Sequence, residues 1–457
     1  MIPVTMHSDQ IVSAHARQIL DSRGRPTVEA EVILAGGATG RACAPSGAST
    51  GRHEAHELRD ADPSSFQGRG VRRAVAAVRE YIAPALKNRP ALDQGECDAV
   101  MRELDGSPQL TRLGGNAVLA VSLAVCRAAA AHRGVPLYAH IAELAGSVPS
   151  MPLPMTNILS GGAHASRGMD IQDFLVIPVG ARSYSQALEM IARVRAEAAR
   201  LMAERGLPVL LADEGGLSPG FADPREALGL MLDSFGAAGL RAGEDAAIAL
   251  DIAASELRSS DGYQLARLGR RLSSAEMAGY VRDLVASYPA IASVEDPLDQ
   301  DDWETWRALT TELTTGLAAI QVVGDDLFAT NPGRIVRGIR AGAANAALIK
   351  PNQNGTLSGT LEAMAVARRA GYALIVSARS GETEDSFIAD LAVGTGAGQI
   401  KIGSLRSSER LAKYNQLLRI EESLPDRFDG GRTLAGRFAA RSCDAGHGAY
   451  LTDPEAQ

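Results

Sequence analysis

Ala246–Asp251 reads AAIALD, Ile291–Glu295 reads IASVE, Ile320–Asp325 reads IQVVGD and Ala346–Lys350 reads AALIK. Each is a short apolar run ending in an ionisable residue, and Ala373–Ala378 (ALIVSA) and Gly398–Ile402 (GQIKI) repeat the figure. Runs that are apolar throughout, separated by longer amphipathic stretches, mark a largely parallel sheet covered by helices. With Pro154–Ile158 (PMTNI), Ile171–Val179 (IQDFLVIPV) and Pro208–Asp213 (PVLLAD), the candidate strands suffice for a closed α/β barrel, with one or two extra. In such a barrel the C-terminal strand ends converge on one rim, where active sites are built. That rim would carry Asp213 with Glu214, then Asp251, Glu295, Asp325, Lys350, Ser377 and Lys401. Any one of these is readily a polar strand-end cap. Together they are costly to bury around one axis unless paired or bound to metal.

Upstream of the barrel the pattern changes. Pro26–Leu34 (PTVEAEVIL) alternates Val28, Ala30, Val32 and Leu34 against Glu29 and Glu31, the period of a half-buried strand. Gly36-Gly37 supplies a turn and Gly40–Ala44 (GRACA) a returning strand. Val71, Val75, Val78 and Ile82 recur at helical spacing. Asn116–His132 is apolar nearly all round, as in a helix sandwiched between two layers, and Gly134 is placed to end it. The expected organisation is an α+β unit over residues 1–147 with a mobile PSGASTG loop, a barrel over 148–440 and a loose tail over 441–457.

Composition excludes several classes of function. Of 457 residues, 46% are hydrophobic and 22% charged, so the chain is not mostly disordered. Forty-six basic against 54 acidic residues give a net charge of −8 without a long basic run, which argues against an extended nucleic-acid surface. Cys43, Cys97, Cys126 and Cys443 form no CxxC pair and suit a reducing cytoplasm. The most apolar window, Ala117–Ala131, is interrupted by Ser122 and Arg127 and falls short of the roughly 20 residues of a membrane span. A cytoplasmic location without a membrane span is therefore expected, and the first ten residues show no secretory pattern.

The rim has two chemical halves. Asp251, Glu295 and Asp325 are hard oxygen ligands with no histidine or cysteine among them, which suits Mg²⁺ over Zn²⁺. Lys350 and Lys401 follow in the next sectors. A lysine near a divalent cation and a second lysine has its ammonium form disfavoured and can act as a base. Glu214, protonated or sharing a proton, can serve as an acid. Such a set removes a proton α to a carboxylate and expels a β-hydroxyl, through a dianion that needs strong electrostatic stabilisation.

At this point the chain resembles the enolase family along almost all of its length. The resemblance rests on Leu20–Arg23 (LDSR), Pro45–Gly51 (PSGASTG), Gly161–Ala165 (GGAHA), Asp213–Gly216 (DEGG) and Ala249–Ser255 (ALDIAAS). It continues through Val294–Leu298 (VEDPL), Gly324–Leu327 (GDDL), Leu348–Lys350 (LIK), Arg379–Asp385 (RSGETED) and Glu409–Glu421 (ERLAKYNQLLRIE). It implies an N-terminal α+β domain capping a C-terminal barrel, assembled as a homodimer or octamer. Asp251, Glu295 and Asp325 match the primary Mg²⁺ ligands, and Ser49 a ligand of a second Mg²⁺ that arrives with substrate. Lys350 matches the base and Glu214 the acid. Lys401 matches the lysine facing the substrate carboxylate, and Arg379 with Ser380 the groups that grip its phosphate. His164 matches a loop histidine closing over the phosphate, with Gln172 as its polar neighbour. The implied partner is a small phosphorylated or phosphonylated carboxylic acid.

Two departures from the family pattern stand out. Ala378 occupies the place of a histidine just before the Arg-Ser pair, and Asp173 that of a glutamate supporting the acid. Pro351, Ile402 and Arg25 are lesser changes. Both major changes shrink side chains around the leaving group and phosphate while base and metal ligands stay. The expected substrate is thus a modified 2-phosphoglycerate such as carboxyphosphonoglycerate, as in the branch that makes carboxyphosphonoenolpyruvate for phosphonate natural products. The alternatives are an ordinary glycolytic enolase and a non-catalytic structural or binding paralogue.

Overall fold

A computed structural model describes residues 7–47, 51–315 and 319–435; Ser49 and the expected tail over 441–457 lie outside the described residues. The chain begins with an antiparallel sheet of β1 (Ile11–Leu20), β2 (Pro26–Leu34) and β3 (Thr39–Cys43), in that order. In β2, Val28, Ala30, Val32 and Leu34 face the core as the alternation predicts, while Glu29 and Glu31 pair with Arg17 on β1. No sequence signal marked β1. Only Ile11 and Ala16 of its side chains are buried, and its register shifts between Ile11 and Ser13, so no clean period of two survives.

Val71, Val75, Val78 and Ile82 share a buried face, but not one regular helix. Arg72–Ala77 opens into a π turn at Val78–Ile82 before Ala83–Leu86. Pro84 has no N–H to donate back, and a wider turn just ahead of it accommodates that loss. The Gly115–Arg133 helix ends at left-handed Gly134 (φ 63°) and is buried nearly all round. By length and composition it could cross a membrane, but it lies inside the molecule, between β2 and β3 on one side and neighbouring helices on the other. Gly40 permits this closeness, since a Cβ there would lie 2.1 Å from the Ala124 carbonyl oxygen.

The barrel strands are β4 (Leu153–Ser160), β5 (Asp173–Ile177) and β6 (Ala247–Asp251), then β10 (Ile291–Glu295), β11 (Gln321–Gly324), β12 (Ala346–Ile349), β13 (Ala373–Ser377) and β14 (Gly398–Lys401). Between β6 and β10 lies a small sheet of β7 (Arg258–Ser259), β8 (Gly262–Leu265) and β9 (Arg270–Leu272). Among the described residues the barrel closes in the order β4-β5-β6-β10-β11-β12-β13-β14. Its pairings are parallel except that β5 runs antiparallel to both β4 and β6. Pro208–Asp213, expected as a strand, is instead a loop with Val209, Leu210 and Leu211 45–63% exposed. Leu217, just beyond the run, takes the open edge at the end of β4 through Leu159, and of the run only Leu211 pairs, with Leu217.

The barrel interior is a packed core of Leu153, Met155, Leu175, Ile177, Val323, Leu348 and Ile375. Phe428 and Leu434 pack into it from the end where β4 begins, Phe428 bridging to Met151. The opposite rim, where the parallel strands end, is left for the polar residues.

Candidate active site

Strand ends carry most of the expected side chains to this rim. Asp251 closes β6, Glu295 closes β10 and Lys401 closes β14, while Asp325, Lys350 and Ala378–Ser380 follow β11, β12 and β13 by one to three residues. Gln172 and Asp173 reach the same rim from the start of β5, because that strand runs the other way. His164 sits on the 3-10 turn Gly162–Ala165 after β4. Glu214 lies on the loop after the exposed Pro208–Asp213 run; the Asp213 N–H donates to the His164 carbonyl at 3.0 Å, locking the two loops together.

At the centre two ammonium groups face three carboxylates. Lys401 Nζ donates to Asp251 Oδ2 and Glu295 Oε2, each at 2.7 Å, and Lys350 Nζ lies 2.5 Å from Asp325 Oδ2. Gln172 Nε2 donates to Asp251 Oδ2 at 3.1 Å, and Gln353 Nε2 to Asp325 Oδ1 at 2.9 Å. Burial, reinforced by Asp251, pushes the Glu295 carboxyl up. Burial also works against the Lys350 ammonium, but Asp325 and Glu295 together hold it charged. This differs from the expectation that its ammonium is disfavoured, which presupposed a cation offsetting the charge of Asp325.

The all-oxygen set of Asp251, Glu295 and Asp325 suits a hard divalent cation. Glu295 Oε1 is buried with no hydrogen-bond partner among the described residues, an acceptor that such a cation would satisfy. The residues present therefore fit Mg²⁺. Asp296, Asp325 and Asp326 form a tighter cluster, with ligand oxygens within 4.8 Å of one another. Asp296 there accepts the backbone N–H groups of Asp325 (2.9 Å) and Asp326 (2.7 Å), which shapes the loop after β11.

On another wall, Arg379 Nη1 donates to Glu54 Oε2 at 2.7 Å and to Asn352 Oδ1 at 3.2 Å. Both members of the ion pair are buried, and Glu54 arrives from the N-terminal part of the chain. Ser380 Oγ lies 3.1 Å from His164 Nε2, and His164 Nδ1 lies 3.2 Å from Asp173 Oδ2. Ser160 Oγ donates to Asp173 Oδ1 at 2.6 Å. His164 Nε2 is also 3.6 Å from Glu214 Oε1, and Asn157 Nδ2 donates to Glu214 Oε2 at 3.3 Å. Burial alone would lower the His164 pKa, but Glu214 and then Asp173 outweigh it and raise it to about 9. Burial pushes the Glu214 carboxyl up, yet His164, Arg410 and Lys401 together pull it well below the usual range. Glu214 and His164, 3.6 Å apart, thus face each other as a pair able to share one proton, the arrangement expected of the acid.

Two family models cover this architecture: "Enolase, N-terminal domain" matches residues 11–141, and "Enolase, C-terminal TIM barrel domain" matches residues 148–435. The chain belongs to the enolase family. Its reaction class is accordingly that of the enolase-type, Mg²⁺-dependent lyases. Within this enolase-family site, Ala378 lines the pocket beside Ser377, Arg379 and Ser380 with only a methyl group. The pocket itself measures about 30 Å³ and adjoins a cavity of about 250 Å³, with Gln172 and Ala253 in both walls. Sequence reasoning placed Asp326 after the QVVG run without giving it a role, and missed Glu54, Asn157, Asp296 and Gln353. Paired acids in VED and GDD were a signal for Asp296 and Asp326; nothing local marked the others.

Proposed function

We propose that this chain takes the α-proton from, and expels the β-hydroxyl of, a 2-phosphoglycerate-like acid to give an enolpyruvate ester. Its favoured substrate is a modified analogue, carboxyphosphonoglycerate, giving carboxyphosphonoenolpyruvate in phosphonate biosynthesis. The observation that carries this reading is unequal retention: the lysines and carboxylates of the centre are all present, while the wall at Ala378 is cut back to a methyl group. The adjoining 250 Å³ cavity opens past Gln172 and Ala253, away from Ala378, Arg379 and Ser380.

Asp251, Glu295 and Asp325 would hold Mg²⁺, which when bound supplies positive charge against the dianion formed on proton loss. Lys350 is the base, and it accepts a proton only once its contact with Asp325 is exchanged. Lys401 offers its ammonium to the substrate carboxylate, and Arg379 and Ser380 offer donors to the phosphorus oxygens. Arg379 enters that role from its pairing with Glu54.

Retention of Arg379 and Ser380 also favours a second reading, the ordinary conversion of 2-phosphoglycerate to phosphoenolpyruvate. Parallel measurement of kcat/KM on both substrates at saturating Mg²⁺ separates the two. Preference for the phosphonoformyl analogue is expected, with activity abolished by chelator. Preference for 2-phosphoglycerate moves the assignment to the second reading, and turnover of neither points to a non-catalytic paralogue.

A further inference from the structure

Lys350 and Asp325 are bound to each other at 2.5 Å, yet the elimination proposed above needs them apart, one as base and the other as a ligand of Mg²⁺. Asp325 therefore needs a second partner that keeps its carboxylate in place when Lys350 leaves. We propose that Gln353 is a positioning residue for this reaction: it holds the Asp325 carboxylate through the oxygen that Lys350 does not use, so that Asp325 serves the cation while Lys350 is released. The inference rests on the Mg²⁺ site and the elimination proposed above.

A chain of hydrogen bonds carries the assignment. The Lys350 backbone N–H donates to Thr330 Oγ1 at 2.9 Å, and Thr330 Oγ1 gives its one proton to Gln353 Oε1 at 2.7 Å. That fixes the orientation of the amide, because its oxygen must meet the hydroxyl proton and its NH₂ must point the other way. The two N–H groups then face two carboxylates, Asp325 Oδ1 at 2.9 Å and Glu54 Oε1 at 3.4 Å. Asp325 Oδ2 is the oxygen paired with Lys350, so the two partners hold different oxygens of one carboxylate. The Gln353 carbonyl accepts the Ala55 N–H at 2.8 Å, and its own N–H donates to the Lys350 carbonyl at 2.9 Å. Gln353 is thus tied to the base on one side and to the N-terminal domain on the other.

The array is shielded from solvent, with Gln353 2% and Thr330 0% exposed. Thr330 also holds a left-handed backbone (φ 48°), which a β-branched residue adopts only with strain. Glycine would take that turn with less strain, but it has no hydroxyl to orient the amide.

The test uses the full-length protein and Mg²⁺ alone, followed by calorimetry without substrate, with urea midpoints to show that each variant is folded. Gln353→Leu keeps the bulk and loses both donors, and it should bind Mg²⁺ about 10–100-fold more weakly. Its α-proton exchange with D₂O should recover towards the wild-type rate as Mg²⁺ is raised to saturation. Thr330→Val keeps the shape but loses the hydroxyl, and should weaken binding in the same direction; Thr330→Ser should restore it. On an Asp325→Asn background, Gln353→Leu should weaken binding no further, because the carboxylate it acts through is already gone.

Unchanged Mg²⁺ affinity in folded Gln353→Leu overturns the proposal. So does a full additional loss on the Asp325→Asn background, which would make the effect one on the fold at large. Should Gln353→Leu fail to fold, the Thr330 pair decides, and equal affinities in Thr330→Val and Thr330→Ser overturn the proposal. Wild-type protein that binds no Mg²⁺ refutes the metal site itself. Wild-type protein that binds Mg²⁺ but turns over neither substrate refutes the elimination, and the Mg²⁺ affinities then judge Gln353 separately.

Discussion

The double variant Ala378→His with Asp173→Glu restores the family pattern where the pocket has been cut back, and its effect follows from the surroundings of the two residues. The Ala378 backbone is anchored by its N–H to the Lys401 carbonyl at 2.9 Å, so a larger side chain there extends from a fixed position in the pocket wall. A donor restored beside the leaving hydroxyl is commonly worth about 2–4 kcal/mol of transition-state stabilisation, roughly a hundredfold in rate. Asp173 is fully buried between Ser160 and His164, and adding a methylene there should cost about 1–3 kcal/mol of fold stability. That cost falls on the unfolding equilibrium, not on kcat of folded protein. Turnover of 2-phosphoglycerate should therefore rise by roughly tenfold or more, while turnover of the bulkier analogue falls and the urea midpoint drops. Steady-state kinetics on both substrates and urea titration of all four corners of the cycle are the assays. The substitutions should couple by about 0.5–3 kcal/mol, because both flank the acid and the same leaving group. The reasoning is refuted if wild-type protein already turns over 2-phosphoglycerate robustly and the double variant is no better.

Three further outcomes are expected. Lys350→Ala should abolish α-proton exchange while Mg²⁺ binding by calorimetry persists, since Asp325 loses only its ammonium partner; wild-type exchange would move the base to Lys401. Glu54→Ala takes from the buried Arg379 guanidinium its paired carboxylate while leaving its bond to Asn352, and should cost up to about 3–5 kcal/mol in urea unfolding, and Glu54→Gln less; a change near zero would mean that the remaining partners of Arg379 suffice. His164 lies near 9 when folded, above its ordinary value of about 6.5, so its contribution to stability is complete below about 6.5 and is lost as pH rises through 9. Wild-type protein should therefore lose more stability than His164→Gln between pH 7 and 9.5, and parallel losses would assign the alkaline instability elsewhere.

Strand identity in the barrel was legible in the sequence, because a strand buried on both faces must be apolar throughout and its chain must turn polar on emerging at the rim. That single constraint located Asp251, Glu295, Asp325, Lys350 and Lys401. It also misread Pro208–Asp213, since an apolar run becomes a strand only where a sheet edge is open to it. The direction of β5 was decided by tertiary structure, and with it the presence of Gln172 and Asp173 at the rim. The pairings were decided there too. Lys401 bridges Asp251 and Glu295, which precede it by 150 and 106 positions, and Arg379 meets Glu54 across 325. Residue type sets which groups must find a counter-charge when buried; only the folded chain sets which one each finds, because Coulomb energy depends on distance in space and not on position in the chain.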